Sequence, residues 1–234
     1  MDCNKSQKIL ENHGFSLIEL IVAMAITGIV MAAIYSAYSS QQKSYIAQEQ
    51  VSTMQQNVRS AMFYMEREIR MAGCHPTQII AISPGFLAAG PNTINFTLDI
   101  DDNAGSGTPD GDTNDANENV AYALADNDGD GDLDFERNNN LIAENIDALD
   151  FVYYNRNAPP GILNDDGNGN VTTNINRIKS VEITIIARVG RGDRGYVNNN
   201  IYTNQQGRVM LDLSINPDNL RRRVLTTVIN CRNL

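Results

Sequence analysis

Tryptophan is missing from this chain of 234 residues, aromatic side chains make up only 6% of it, and it holds only two histidines and three cysteines. Length and low aromatic content leave room for one domain with a modest core beyond any membrane segment. His13 lies near the amino terminus and His75 stands beside Cys74, with no further His or Cys set at ligand spacing, which argues against a zinc centre. No Gly-rich phosphate loop, nucleophile elbow or paired-carboxylate signature is present, so no enzyme is expected. Positive charge is also scarce: 18 Lys and Arg against 28 Asp and Glu leave a net charge of −10. The single basic run, Arg221-Arg222-Arg223, is read as the solvated start of a strand. An acidic chain repels phosphate, so no nucleic-acid partner is expected.

Long apolar runs are not lacking. Phe15 to Tyr38 is 24 residues with a single charged side chain, Glu19, and a helix needs about 20 apolar residues to cross a bilayer. A carboxylate inside hydrocarbon costs roughly 2.5–3.5 kcal/mol even on lenient scales. Glu19 is therefore either an interfacial residue or one with a partner. Cleavage after Gly14 would create a cationic amine at Phe15, able to pair with the Glu19 carboxylate of a neighbouring copy. Residues 1–14 carry Lys5 and Lys8 against Asp2 and Glu11 and have no apolar core of their own. They are unlike an ordinary secretory leader, which puts its apolar region before the cleavage site.

After Tyr38 polarity rises while helical periodicity persists. Val51, Met54, Val58, Met62, Met65, Ile69 and Ala72 recur at spacings of three and four, an apolar stripe. Glu66 and Arg70 support the helix at i,i+4, and Gly73 followed by Pro76 stops it. Span and stripe together predict one helix of about 59 residues, roughly 88 Å long at about 1.5 Å per residue. Beyond Thr77 the period switches to two. Asn92–Asp99, Val120–Ala125, Leu133–Arg137, Ala148–Tyr154, Ile178–Val189 and Arg223–Asn230 read as antiparallel strands. Their sheet needs an apolar cover, and the stripe from Val51 to Ala72 supplies one. Between the strands run Asn-, Asp- and Gly-rich loops at 101–119, 126–132, 159–176 and 190–207.

Gly14-Phe15-Ser16-Leu17-Ile18-Glu19-Leu20 resembles the cleavage and methylation signal of type IV prepilins and secretion pseudopilins. The resemblance implies a pilin fold of class α+β, with a long amino-terminal helix packed on an antiparallel sheet. It implies a leader at 1–14, a transmembrane half-helix at 15–38, an amphipathic half at 39–73 and a β-rich periplasmic or extracellular domain at 74–234. A prepilin peptidase would cut between Gly14 and Phe15 and methylate the Phe15 amine, and Glu19 would serve assembly with other pilins and minor pilins. The chain would sit in the inner membrane before assembly and then in a surface pilus. Ser36 stands where most major pilins carry a helix-bending proline, so local unwinding would centre elsewhere, near Gly28. The stretches 55–59, 66–73 and 222–233 are similar to PilW-type minor pilins, and less closely to GspJ-type pseudopilins. A minor pilin acting in pilus initiation at the tip is thus expected. The alternatives are a pseudopilin of type II secretion and a tethered calcium-binding adhesion module that does not polymerise.

Within that frame Cys3 leaves with the leader, and Cys74 and Cys231 form an even pair in an oxidising compartment, either bridged or left as two buried thiols. A bridge would close a loop of 157 residues. The acidic run Asp126-Asn127-Asp128-Gly129-Asp130-Gly131-Asp132-Leu133-Asp134 matches the first half of an EF-hand-type loop, with carboxylates at positions 1, 3 and 5 and Gly at 6. Arg137 stands where the bidentate Glu belongs, so two readings stay open. Asp126, Asp128, Asp130, Asp132 and Asp134 surround one Ca²⁺, or the run is an empty hairpin turn. Two further acidic stretches, one holding Asp99, Asp101, Asp102, Asp110, Asp112 and Asp115 and the other Asp165 and Asp166, have no diagnostic spacing and are read as solvated loops.

Overall fold

The structure is a computed structural model that describes residues 14–77, 83–102, 105–115, 117–127, 129, 131–155 and 161–234. Helix α1 spans Leu17–Met71, 55 residues, within the predicted bounds. By contacts the chain divides between Gln48 and Glu49, inside this helix, into two units.

The first unit is the amino-terminal part of α1. Every residue from Gly14 to Tyr38 is exposed within the chain, and this stretch has the length and apolarity to cross a membrane. The helix runs without a break through Ser36 and through Gly28, the position near which unwinding in a filament is expected.

The second unit builds a core on the carboxyl-terminal part of α1. Met54, Val58, Ala61, Met62, Met65, Ile69 and Ala72 are all buried and Val51 packs against them, so the predicted stripe is the face that meets the sheets. Gly73 ends the helix at φ +76°, and its N–H is taken by the Thr97 carbonyl at 3.0 Å. A Cβ here would collide with Leu234. Glycine is thus required both for left-handed backbone and for close approach. The predicted Glu66–Arg70 pair forms at 3.0 Å, half-exposed, and is worth only a few tenths of a kcal/mol.

The expected single sheet is divided. Strands β1 (Phe86–Ala89), β2 (Ile94–Thr97), β3 (Asn119–Ala125), β4 (Asp134–Arg137) and β5 (Asn140–Ala143) form an antiparallel meander. Strands β6 (Ile146–Tyr154), β7 (Ile162–Leu163), β8 (Ser180–Arg188) and β11 (Arg222–Asn230) form a second sheet in the order β11-β8-β6-β7, while β9 (Ile201–Thr203) and β10 (Val209–Asp212) pair as a ribbon. Asn138 and Asn139, at φ 49° and 63°, make the two-residue turn between β4 and β5 that the right-handed twist of a hairpin favours.

Polar groups join the elements. Glu68 of α1 accepts from the Tyr122 hydroxyl at 2.5 Å and from Arg137 Nε at 2.9 Å, tying the helix to β3 and β4. Strand β8 is buried along nearly its whole length, including Glu182 and Thr184 on the side away from the aliphatic core. The end of segment 190–207, expected to be a surface loop, covers part of that side together with Arg208. Asn204 Nδ2 donates to Asp150 at 2.7 Å, Arg208 pairs with Asp150, and Gln206 reaches Glu182 at 3.2 Å. Arg222 is not solvated either: it lies between Asp147 at 2.5 Å and Asp218 at 2.6 Å. Two carboxylates compensate its desolvation.

Candidate functional site

The start of α1 is made by Ser16 and Glu19. The Leu20 N–H donates to the Ser16 carbonyl at 3.2 Å, which makes Ser16 the N-cap. The Ser16 backbone N–H and hydroxyl both donate to Glu19 Oε2, at 2.8 and 3.0 Å, and the Glu19 N–H donates back to Ser16 Oγ at 3.3 Å. This is a reciprocal capping box. The carboxylate also lies at the positive end of the helix dipole. Glu19 is therefore satisfied within its own helix, and Phe15, 91% exposed, projects beside it. Gly14 precedes Phe15 in open, non-helical backbone, with nothing within 4 Å of where a Cβ would stand.

The Asp-rich hairpin between β3 and β4 is described only in part. Asp128 and Asp130 lie outside the described residues. Asp126 Oδ1 accepts from the Gly129 N–H, three residues on, at 2.9 Å. Asp132 pairs with Arg188 at 2.5 Å, and the buried Asp134 accepts from the Asn145 N–H at 2.9 Å. The last two carboxylates thus anchor the hairpin to its neighbours. Asp126, Asp132 and Asp134 do not come together as a triad among the described residues. The one such group there is Asp110, Asp112 and Asp115, whose oxygens all lie within 4.8 Å of one another.

The long β2–β3 connection that holds this triad is pinned at its root by Asp99. That fully buried carboxylate accepts from Thr77 Oγ1 at 2.6 Å, His75 Nδ1 at 3.2 Å and the Gly111 N–H at 3.3 Å. Burial pushes the Asp99 carboxyl up, but the hydrogen bonds from Thr77, His75 and Gly111 outweigh it and hold the group below the ordinary aspartate value. The third acidic stretch is a self-contained turn. Asp165 accepts from Asn174 Nδ2 at 2.6 Å and from the N–H groups of Thr172 and Thr173 at 2.7 and 2.8 Å.

The expected Cys74–Cys231 bridge is not formed in this structure, where both residues are free thiols, Cys74 half-buried and Cys231 buried. The flanking backbone is nonetheless joined: the Arg232 N–H donates to the Arg70 carbonyl at 3.2 Å, and Asn233 Nδ2 to the Met71 carbonyl at 3.3 Å. Burial pushes the Cys231 thiol up to about 12. Burial and the nearby Asp99 charge raise Cys74 as well.

Residues 11–35 match the prokaryotic N-terminal methylation motif. That stretch contains Gly14, Phe15, the capping pair and most of the exposed apolar helix. The amino terminus is therefore prepilin-like. A type IV-like pilin from Thermus thermophilus has a similar structure, with a TM-score of 0.49 and 12% identity, the match covering 76% of this chain and 95% of that one. No curated protein matches the chain significantly.

Three contributors escaped the reading of the sequence. Ser16 had a visible signal, since Ser16-Leu17-Ile18-Glu19 is the S-x-x-E pattern of a capping box. Glu68 had none, because its partners Tyr122 and Arg137 lie 54 and 69 residues away. Glu118 also had none: it is wholly buried next to β3, and its Oε1 accepts from the Ile100 and Asp101 N–H groups at 2.7 and 2.9 Å.

Proposed function

We propose that this chain is a minor pilin, PilW-like, which takes part in initiating a type IV pilus and stands at or near its tip. The observation that carries the reading is the methylation motif on residues 11–35, set on a helix whose apolar surface from Phe15 to Tyr38 is exposed among the described residues. Such a surface needs lipid before assembly and the helices of other pilins after it. Because Glu19 already has donors in Ser16, the unassembled subunit can keep its carboxylate near the membrane interface. On assembly the Phe15 amine of a neighbour would take over one of those donor roles and fix the register. The similarity of 55–59, 66–73 and 222–233 to PilW-type sequences supports the finer assignment. Orientation follows from the same reading, with the leader cytoplasmic and the β-rich unit periplasmic.

Mass spectrometry of the protein isolated from cells with an active prepilin peptidase tests this directly. The expected amino terminus is N-methyl-Phe15. An intact Met1, or a cut elsewhere, overturns the assignment. In-cell crosslinking between residues near Phe15 and Glu19 of different subunits tests polymerisation, and its absence favours a tethered module that stays single.

A further inference from the structure

We propose that the free edge of β11 is a docking site for an extended segment of another protein, which adds a strand to the β11-β8-β6-β7 sheet and carries Asp or Glu at its two ends. This edge lies in the second unit and owes nothing to the prepilin-like amino terminus. The Val189 N–H donates to the Arg221 carbonyl at 3.0 Å and the Cys231 N–H to the Lys179 carbonyl at 2.9 Å, in register with the β11–β8 ladder between them. The odd-numbered residues of β11 are therefore the ones bonded to β8. In an antiparallel ladder the residues between them turn N–H and C=O the other way. Arg222, Val224, Thr226, Val228 and Asn230 thus present theirs along an outer edge that no strand pairs among the described residues.

Native proteins shield such edges by brevity, bulges, proline or charge. The other edge strands here follow that rule: β1, β5, β9 and β10 have four residues or fewer and pair through register shifts, and β7 has two residues. Strand β11 does not. It has nine residues in unbroken register, with no proline and no charge between Val224 and Asn230. Val224 and Val228 are exposed, on either side of Thr226. A row of open backbone groups with alternate β-branched side chains is what strand addition needs, the first for affinity and the second for specificity.

Charge selects the occupant. Arg223 lies at one end of this edge and Arg232 just past the other, both exposed and neither in an ion pair among the described residues. A second copy fits poorly. Antiparallel pairing of β11 with itself about Thr226 matches Val224 with Val228, but sets Arg232 of each copy beside the Arg221–Arg223 run of the other, and like charges so placed repel. A segment with a neutral β-branched centre and acidic ends meets the same arginines with opposite charge.

The test uses the purified full-length chain in detergent micelles and a dye-labelled peptide, Asp-Glu-Val-Thr-Val-Thr-Val-Glu-Asp, matched to the nine residues of β11 and followed by fluorescence anisotropy. We expect saturable binding, slowed amide exchange at Val224, Thr226 and Val228, and weaker binding of the peptide with Lys at every acidic position. Val228→Pro removes an outward N–H and no bond to β8, and should weaken binding about fivefold or more, the worth of one hydrogen bond. The peptide with every Val and Thr N-methylated keeps its charges and loses its donors, so it should not bind, and this control leaves the protein's fold untouched. Arg223→Glu with Arg232→Glu should reverse the preference toward the Lys-ended peptide. No saturable binding of the acidic-ended peptide, equal binding of the Lys-ended one, or binding that survives N-methylation overturns the proposal. A concentration-dependent dimer of the parent chain that Val228→Pro abolishes overturns it in favour of a second copy.

Discussion

Glu68 is the side chain whose removal should be felt most, because one carboxylate serves both the buried Tyr122 hydroxyl and Arg137. Burial, and then Glu68, push the Tyr122 phenol above its ordinary range, so the hydroxyl remains a donor at all working pH values. Glu68→Ala leaves a buried hydroxyl and a partly buried guanidinium without their acceptor. The expected loss is about 2 kcal/mol, read as a lower melting temperature, with Glu68→Gln losing less because it keeps an acceptor oxygen. The cysteines give a second prediction at this scale. Only a thiolate reacts, and the buried Cys231 thiol is held up at about 12. In the reduced, folded protein iodoacetamide should label Cys74 well before Cys231, with both labelled in denaturant. Equal rates in the folded state would contradict the burial.

At the scale of elements, α1 is defined at its two ends by different means. Its start is the Ser16–Glu19 box, so Glu19→Val should do two things: remove the charge available for register, and free the Ser16 N–H, weakening the first turn by about 1 kcal/mol. Ser16→Ala separates these effects, since it frays the turn and keeps the carboxylate. If assembly fails in Glu19→Val and survives in Ser16→Ala, register is the essential role. The helix end is Gly73. Gly73→Ala meets a left-handed φ and the Leu234 side chain together, so it should displace the last residues of the chain from α1. Limited proteolysis of the carboxyl terminus would show this.

For the whole molecule, pH separates two kinds of acid. Hydrogen bonds from Asn174 hold Asp165 low, those from Arg222 hold Asp218 low, and the donors around Asp99 overcome its burial. A lowered folded value contributes stability that is present above the ordinary aspartate value of about 3.9 and is lost as pH falls through the folded value. Asp115 has the opposite sign: burial and its acidic neighbours raise it, so its charge costs stability at neutral pH and protonation relieves that cost. The lowered group is the larger, and the melting temperature should fall steadily below about pH 4. A melt that rises on acidification would mean that repulsion in the acidic loop dominates.

The sequence by itself determined what depends on local period and composition. The apolar run, the buried stripe from Met54 to Ala72, the glycine that ends the helix and the positions of six strands all follow from neighbours within a few residues, where spacing alone decides which face is apolar. Tertiary structure decided which distant segments meet. It divided the strands into separate sheets, carried residues 198–218 over the polar side of β6 and β8, and buried Arg222 between two aspartates. It also brought the irregularly spaced Asp110, Asp112 and Asp115 together, with oxygens within 4.8 Å of one another. Carboxylate spacing along a chain predicts a site only where the backbone follows a known loop. In a connection of some twenty residues rooted on Asp99, the path of the backbone sets which oxygens converge, and that path depends on contacts with Thr77 and His75 at the far end of another element.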